Sequence, residues 1–352
     1  MTGTDVTPTT AGQLDLIDGH GLAEQVERVA TFRELAAATM AERVPKNTTR
    51  AFSGDWDLWL AFWVDAEHGG HGEAQPTLAD PDNLVVFAKW MAQGGRLPDG
   101  RPRKSAAPES MRRRLTGVLH GWETRGVQYP RGITKQARRW IARYEQELVE
   151  RNASTGRGKA HPLTVRDLRA LVEACPDDLG GLRDRALVLM HFGIGGRRSE
   201  LAFLDVSDIT RTDDGLEVHV RKSKTGERRP ALVHGQHAET CPVRAWQRWQ
   251  QRSAIVTGAA FRTVDRHGNL GHRMSGEAVG AVITRAGQRA GLSHRLTGHS
   301  PRRGLATEAR RAGHSLEQIA DQGGWQRDSR ALHGYIESVD KWTNNVLAGM
   351  GL

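Results

Sequence analysis

Phe52, Trp56, Trp59, Leu60 and Trp63 recur at i, i+4, i+7, i+8 and i+11. That spacing puts these large apolar side chains on one face of an α-helix and gives a β-strand no consistent side. A helix with so much aromatic surface on one face needs partners to cover it, and the following residues supply them. Asp80-Pro81-Asp82 punctuates the chain before Leu84, Val85, Phe87, Ala88 and Trp90, which predict a second helix. After a loop over 98–108, residues 109–125 carry Met111, Leu115, Val118, Leu119 and Trp122 as a third apolar stripe, and 134–150 forms a fourth helix. Four amphipathic helices predict a compact bundle.

Residues 151–163 read RNASTGRGKAHPL, small and basic with one proline, and suit a linker. The pattern then changes. Helices are expected at 164–174 and 182–192, with another starting near Arg198. Residues 216–220 alternate in character as a strand does, 224–227 suit a turn, and 229–233 suit the returning strand. Helices follow to the C-terminus, and no repeat of solenoid period appears. The expected fold is mainly α with a small β-sheet. It comprises a poorly ordered leader at 1–34, an N-terminal helical bundle at 35–150, the linker, and a mixed α+β domain at 164–352.

The chain carries 50 Lys+Arg against 41 Asp+Glu, a formal net charge of +9, which favours a polyanionic partner, most simply nucleic acid. Its two cysteines, Cys175 and Cys241, are far apart and lack metal-type spacing, so a reducing compartment fits better than a disulfide framework. No run of 18 apolar residues exists, and the first residues lack the basic start and apolar core of a signal peptide. A cytoplasmic, nucleoid-associated protein is expected.

The chemistry sits in an ordered polar set in the second part. Gly195-Gly196-Arg197-Arg198-Ser199-Glu200 comes first, then Lys224 in a Ser-Lys-Thr-Gly turn, His299-Ser300-Pro301-Arg302, Gly323-Gly324-Trp325, and Tyr335. When a phosphodiester is attacked, negative charge builds on its non-bridging oxygens. Two arginines can hold them through charge-assisted bonds, and an indole or imidazole N–H can add a third donor. A phenol can attack and leave a stable bond behind, but its ordinary pKa of about 10 means it needs help losing its proton. A lysine on a hairpin can protonate the leaving oxygen. No carboxylate cluster suited to a required Mg²⁺ accompanies the set, so no cofactor is expected.

This pattern of Arg, Lys, His-x-x-Arg, Trp and Tyr resembles the tyrosine recombinase (phage integrase) family, and the surroundings of His299 and Trp325 resemble its Cre-like branch. The resemblance implies a helical core-binding domain, a linker and a catalytic domain. It implies that Arg197 and Arg302 clamp the scissile phosphate and that His299 assists proton removal or bonds the phosphate. It implies that Lys224 is the general acid, Trp325 donates its N–H, Glu200 orders the site and Tyr335 forms a 3′-phosphotyrosyl link. Lys222 competes with Lys224, and Arg198 with Arg197, on the residues alone.

The same resemblance implies inverted-repeat half-sites on double-stranded DNA, a homotetramer on two sites, and no need for ATP. Arg112, Arg113 and Arg114, on the side of the third helix away from its apolar stripe, are candidate DNA contacts or a solvated face. Arg221 and Lys222 beside the hairpin are further candidates, as is Arg266 in the loop 265–269. Trp342, Val346 and Leu347 are expected on one C-terminal helix as an apolar patch, which either packs on its own domain or docks on a neighbouring subunit. The other functions open to such a chain are a type IB topoisomerase-like enzyme and an inactive DNA-binding regulator.

Overall fold

The structure, a computed structural model, describes Leu35 and residues 46–68, 73–156, 158, 160–223, 226–343, 345–347 and 350. The leader expected at 1–34 lies outside them, as do Lys224 and Thr225 of the expected turn. The chain divides into two compact units, Met1–Arg157 and Gly158–Leu352. The described residues are mostly helical with small antiparallel sheets. No helix among them is long and apolar enough to cross a membrane.

The first unit packs α1 (Lys46–His68), α2 (Pro81–Gln93), α3 (Pro108–Glu123) and α4 (Lys135–Glu150) around an aromatic core. The Asp80 side chain accepts the Asp82 N–H and Pro81 opens α2, as a capped helix start requires. Trp59, Phe87 and Trp122 are fully enclosed, with Trp59 meeting Phe87 and Trp122 edge to face at 5.0 and 5.9 Å. Both indole N–H groups, of Trp59 and Trp122, donate to the Pro76 carbonyl at 2.8 Å. Gly117 and Gly121 let α3 lie close on α1, since a Cβ at Gly121 would sit 2.0 Å from the Trp56 ring.

The buried face of α1 runs through Asp55, Trp56, Trp59, Phe62 and Trp63. Leu60, placed on that face by the sequence spacing, is exposed at its edge, and Phe52 lies half-buried and tilted against His120, the ring centroids 4.5 Å apart. The loop expected at Gly94-Gly95 and over 98–108 is not all loop: Gly95–Arg96 (β1) and Pro102–Arg103 (β2) pair as a short ribbon.

In the second unit, α5 (Val165–Glu173), α6 (Leu179–Ile194) and α7 (Arg198–Phe203) precede a meander of β3 (Ile209–Arg211), β4 (Gly215–Val218) and β5 (Ala231–Val233). Leu216 pairs with Leu232, and a bridge between Val220 and Arg228 extends the β4–β5 hairpin toward its turn. Then follow α8 (Pro242–Ser253), a ribbon of β6 (Arg262–Val264) and β7 (Leu270–Arg273), and α9 (Gly276–Arg289), α10 (Ser300–Arg311), α11 (Leu316–Gly323) and α12 (Arg330–Thr343). Helix α6 is buried along most of its length and is the centre of the core.

The last residues of the 151–163 segment belong to this unit's core. Leu163 is wholly enclosed and its N–H bonds the Ser300 carbonyl at 3.0 Å. Gly304 makes room for it, because a Cβ there would lie 2.1 Å from the Leu163 carbonyl oxygen. Arg303 donates to the Ala160 carbonyl at 2.7 Å. The C-terminal patch differs from expectation in that α12 ends at Thr343. Trp342 is exposed on the helix, while Val346 and Leu347 are exposed in a turn beyond it.

Candidate active site

The site is built where the ends of α6 and α11 meet the start of α10. Gly195 closes α6 in the left-handed conformation (φ 55°), which a glycine adopts without strain. A Cβ there would lie 3.2 Å from Gly323 Cα, so the two backbone segments approach closely. Arg302, from the first turn of α10, spans them: its Nη1 donates to the carbonyls of Gly195 and Gly323, both at 2.5 Å. Its guanidinium lies 3.8 Å from the Trp325 ring centroid. The side chain is nearly enclosed, and its Nη2 has no hydrogen-bond partner among the described residues. Burial, then the positive charge of Arg197, pushes the Arg302 guanidinium down to about 9, with Glu200 and Tyr335 opposing them. A fixed, confined positive charge with a spare donor is suited to an anion.

Arg197 precedes α7 and keeps part of its side chain open to solvent. Glu200, 2 % exposed, collects the donors around it. It accepts from the Arg197 N–H at 3.1 Å and Nη1 at 2.5 Å, from the Ser223 hydroxyl at 2.9 Å and from Arg228 Nη2 at 2.9 Å. Burial alone would push this carboxyl up, but the Arg197 and Arg228 bonds outweigh it and hold it below its ordinary value. His191, fully buried, has Nε2 3.0 Å from the Gly196 carbonyl. Burial pushes it down to about 4, so it is neutral and donates that bond.

His299 stands at the N-cap position of α10, makes no side-chain capping bond, and keeps part of its surface open to solvent. The protein around that ring, then the charges of Arg198, Arg302 and Arg197, hold the imidazole below its ordinary value. Tyr335, half-buried on α12, meets the Trp325 ring edge-on at 6.4 Å, and the Arg303 guanidinium lies 5.4 Å from its ring centroid. Arg197, Glu200, His299, Arg302, Trp325 and Tyr335 are thus linked through shared contacts and charges. Lys224, the expected general acid, lies outside the described residues.

Two site residues escaped the sequence reading, Ser223 and Arg228. The signal for Arg228 is its phase: in 228–232 the alternating strand turns Pro230 and Leu232 inward, and Arg228 shares their side. A charge on the buried phase of a strand needs buried partners, and Glu200 is one.

The expectation that Arg112, Arg113 and Arg114 stand free of their own bundle is corrected. Arg112 pairs with Glu145 at 2.5 Å, and Arg113 holds the buried Asp55 with two bonds at 2.5 and 2.7 Å. Arg114 is drawn against Met91, its Nη1 3.8 Å from the sulfur, and burial lowers its pKa. For Arg113 the cause is Asp55, an acid on the buried face of α1 that is paired from α3, and for Arg112 it is Glu145 of α4. Arg221 is paired with Asp205 and Asp208 at 2.8 and 2.7 Å, and Lys222 lies 4.6 Å from the Phe203 ring centroid. Arg266 is exposed in the β6–β7 turn and bonds His267 at 3.0 Å.

His161, Asp167 and His294 offer ligand atoms within 4.8 Å of one another. The two rings stack at 3.7 Å, so their nitrogen lone pairs run side by side rather than converge on an ion.

Residues 162–341 match the phage integrase family. An integrase/recombinase XerD homolog of Selenomonas ruminantium is 27% identical over 312 residues, which is 86% of this chain and 85% of that protein. The solved structure of the Tn1549 transposon integrase with a circular intermediate DNA superposes with a TM-score of 0.55 at 15% identity, covering 86% of this chain and 93% of that one. A lambda integrase tetramer bound to a Holliday junction superposes at 0.51 with 14% identity, covering 87% and 76%. Those two likenesses concern the fold. With a family match across more than half its length and a buried arginine, a tryptophan and a tyrosine gathered at one site, the chain belongs to the phage integrase family of tyrosine recombinases.

Proposed function

We propose that this protein cuts and rejoins duplex DNA at inverted-repeat sites through a 3′-phosphotyrosyl bond to Tyr335. The observation that carries this reading is Arg302: a guanidinium fixed by two carbonyls and a tryptophan, with an enclosed Nη2 that no acceptor among the described residues satisfies. The scissile phosphate lies between Arg302 and the half-open Arg197. The Tyr335 oxygen attacks phosphorus and the bond to the 5′-oxygen breaks. The phenolic proton passes to His299, whose lowered pKa keeps it neutral and able to accept it near pH 7. Lys224 protonates the departing 5′-oxygen, and the Trp325 N–H supports the phosphate. A 5′-hydroxyl from a second strand reverses these steps, so the phosphodiester energy is kept and no ATP is consumed.

The helical unit within 35–150 and the unit of residues 164–352 both bind the half-site, and the second cuts. Lys222 and Arg266 are the better-placed further DNA contacts, since Arg112, Arg113 and Arg221 are engaged by acids of their own chain. Four chains on two sites complete strand exchange, with the exposed Trp342, Val346 and Leu347 docking on a neighbouring copy.

Covalent trapping tests this. Nicked suicide DNA carrying inverted repeats from beside the gene gives a slow protein–DNA band on a denaturing gel with wild type, and none with Tyr335→Phe, which still binds. Specific binding without a band points to a DNA-binding regulator. Relaxation of any supercoiled plasmid by a monomer points to a topoisomerase.

A further inference from the structure

We propose that Arg228 is a positioning residue for strand cleavage, holding Glu200, and through it Arg197, in register with Arg302. The inference rests on the recombinase reading above and adds a residue to it. Arg228 is nearly enclosed and makes three bonds, each at 2.9 Å: Nη2 to Glu200, and Nη1 to the carbonyls of Ile194 and Gln322. Arg302 bonds the carbonyls of Gly195 and Gly323, the next residue along each segment. Two guanidinium groups therefore cross-link the same pair of backbone segments, one rung apart. The Arg302 rung faces Trp325, and the Arg228 rung faces the carboxylate that orients Arg197.

The space is shaped for this side chain, whose two Nη atoms are bonded while its buried Nε has no partner among the described residues. A Cβ on Gly324 would lie 2.4 Å from Arg228 Cδ, so glycine there makes the space that Arg228 fills. The backbone of Arg228 is bridged to Val220, which ties the base of the hairpin bearing Lys224 to the same rungs. An arginine fork reaches acceptors in three directions. A lysine ammonium in its place has the charge without the planar span.

Arg228→Met and Arg228→Lys, the second retaining the buried charge, are compared with wild type in single-turnover cleavage at saturating suicide DNA and in half-site binding. Loss of register lowers the cleavage rate of Arg228→Met roughly 100-fold and that of Arg228→Lys by less, with affinity within about threefold. In a Glu200→Gln background Arg228→Met costs little more, because both act through one carboxylate. Wild-type rates in both variants, losses that multiply in the double variant, or cleavage and binding falling together in Arg228→Lys each overturn the proposal. If wild type forms no adduct at all, the recombinase reading falls, and Arg228 is judged by the Glu200 side-chain carboxyl ¹³C signal under pH titration. A Glu200 midpoint that moves up in Arg228→Lys supports the assigned contact; an unmoved midpoint overturns it.

Discussion

Glu200→Gln keeps the volume of the side chain and removes its charge. The carboxylate accepts four bonds, two on each oxygen. An amide has one acceptor, and its NH₂ meets donors wherever it points. Placed at Oε1 it opposes Arg197 Nη1, while Ser223 can rotate to accept from it. Placed at Oε2 it opposes both the Arg197 N–H and Arg228 Nη2. The first arrangement is cheaper, and it displaces the Arg197 guanidinium, to which the proposed mechanism assigns the phosphate. Arg228 meanwhile keeps a buried charge without its counterion. Breaking a buried pair this way costs about 3 kcal/mol, the lower end of the usual range, because Arg197 retains solvent. For a unit of this size that is a fall in Tm of roughly 6–12 °C.

The cleavage rate falls roughly 100-fold, since Arg197 is displaced rather than removed. The deficit depends on pH. The folded-state pKa of Glu200 is depressed, so its stabilisation is fully present above the unfolded carboxyl value of about 4.3 and is lost as pH falls through the lower folded value. Thermal melts of both proteins from pH 3 to 8 read the first effect, and denaturing gels of suicide-substrate cleavage at pH 7 read the second. A variant that melts with wild type at pH 7 and cleaves at the same rate refutes the account of Glu200.

Three further outcomes follow from the geometry. The acidic limb of the cleavage rate lies below the ordinary histidine value of about 6.5, because His299 must be deprotonated and its pKa is lowered; single-turnover pH profiles of wild type and His299→Gln measure it. Arg113→Ala leaves Asp55 buried without its partner, so it destabilises the helical unit by about 1–3 kcal/mol; thermal melts without DNA reveal this, whereas a pure phosphate contact leaves the melt unchanged and only lowers the salt slope of binding. Truncation after Thr343 removes the exposed Val346, Leu347 and Met350 but keeps the Arg310–Asp340 pair, so half-site binding persists while tetramers on DNA weaken in sedimentation.

The helical bundle was legible because apolar residues at helical spacing have one consistent burial solution, and the edge residue Leu60 shows the precision of that argument. Spacing locates a face but not its centre, and the buried Asp55 shifted it. That Arg302, Trp325 and Tyr335 come together was legible because their types and order form a pattern that no packing rule requires. Arg228 was not, since a strand arginine is ordinarily solvated and only its phase marks it. The β6–β7 ribbon was missed for a local reason. Its strands are short and polar, and the Asp265 carboxylate builds the turn by accepting the N–H groups of His267 and Asn269, which reads as loop composition.

The enclosure of Leu163 sets where this protein can be cut apart. A fragment beginning at Thr164, where composition changes, would leave out a fully buried leucine and the backbone that Arg303 and Ser300 hold. The void is of the kind that costs about 2–5 kcal/mol in a core, a large share of a single domain's stability. Limited proteolysis of the native chain should therefore yield a durable C-terminal piece whose first residue precedes Ala160. An expression boundary drawn a few residues later would give a fragment that aggregates, with every active-site residue still in its sequence.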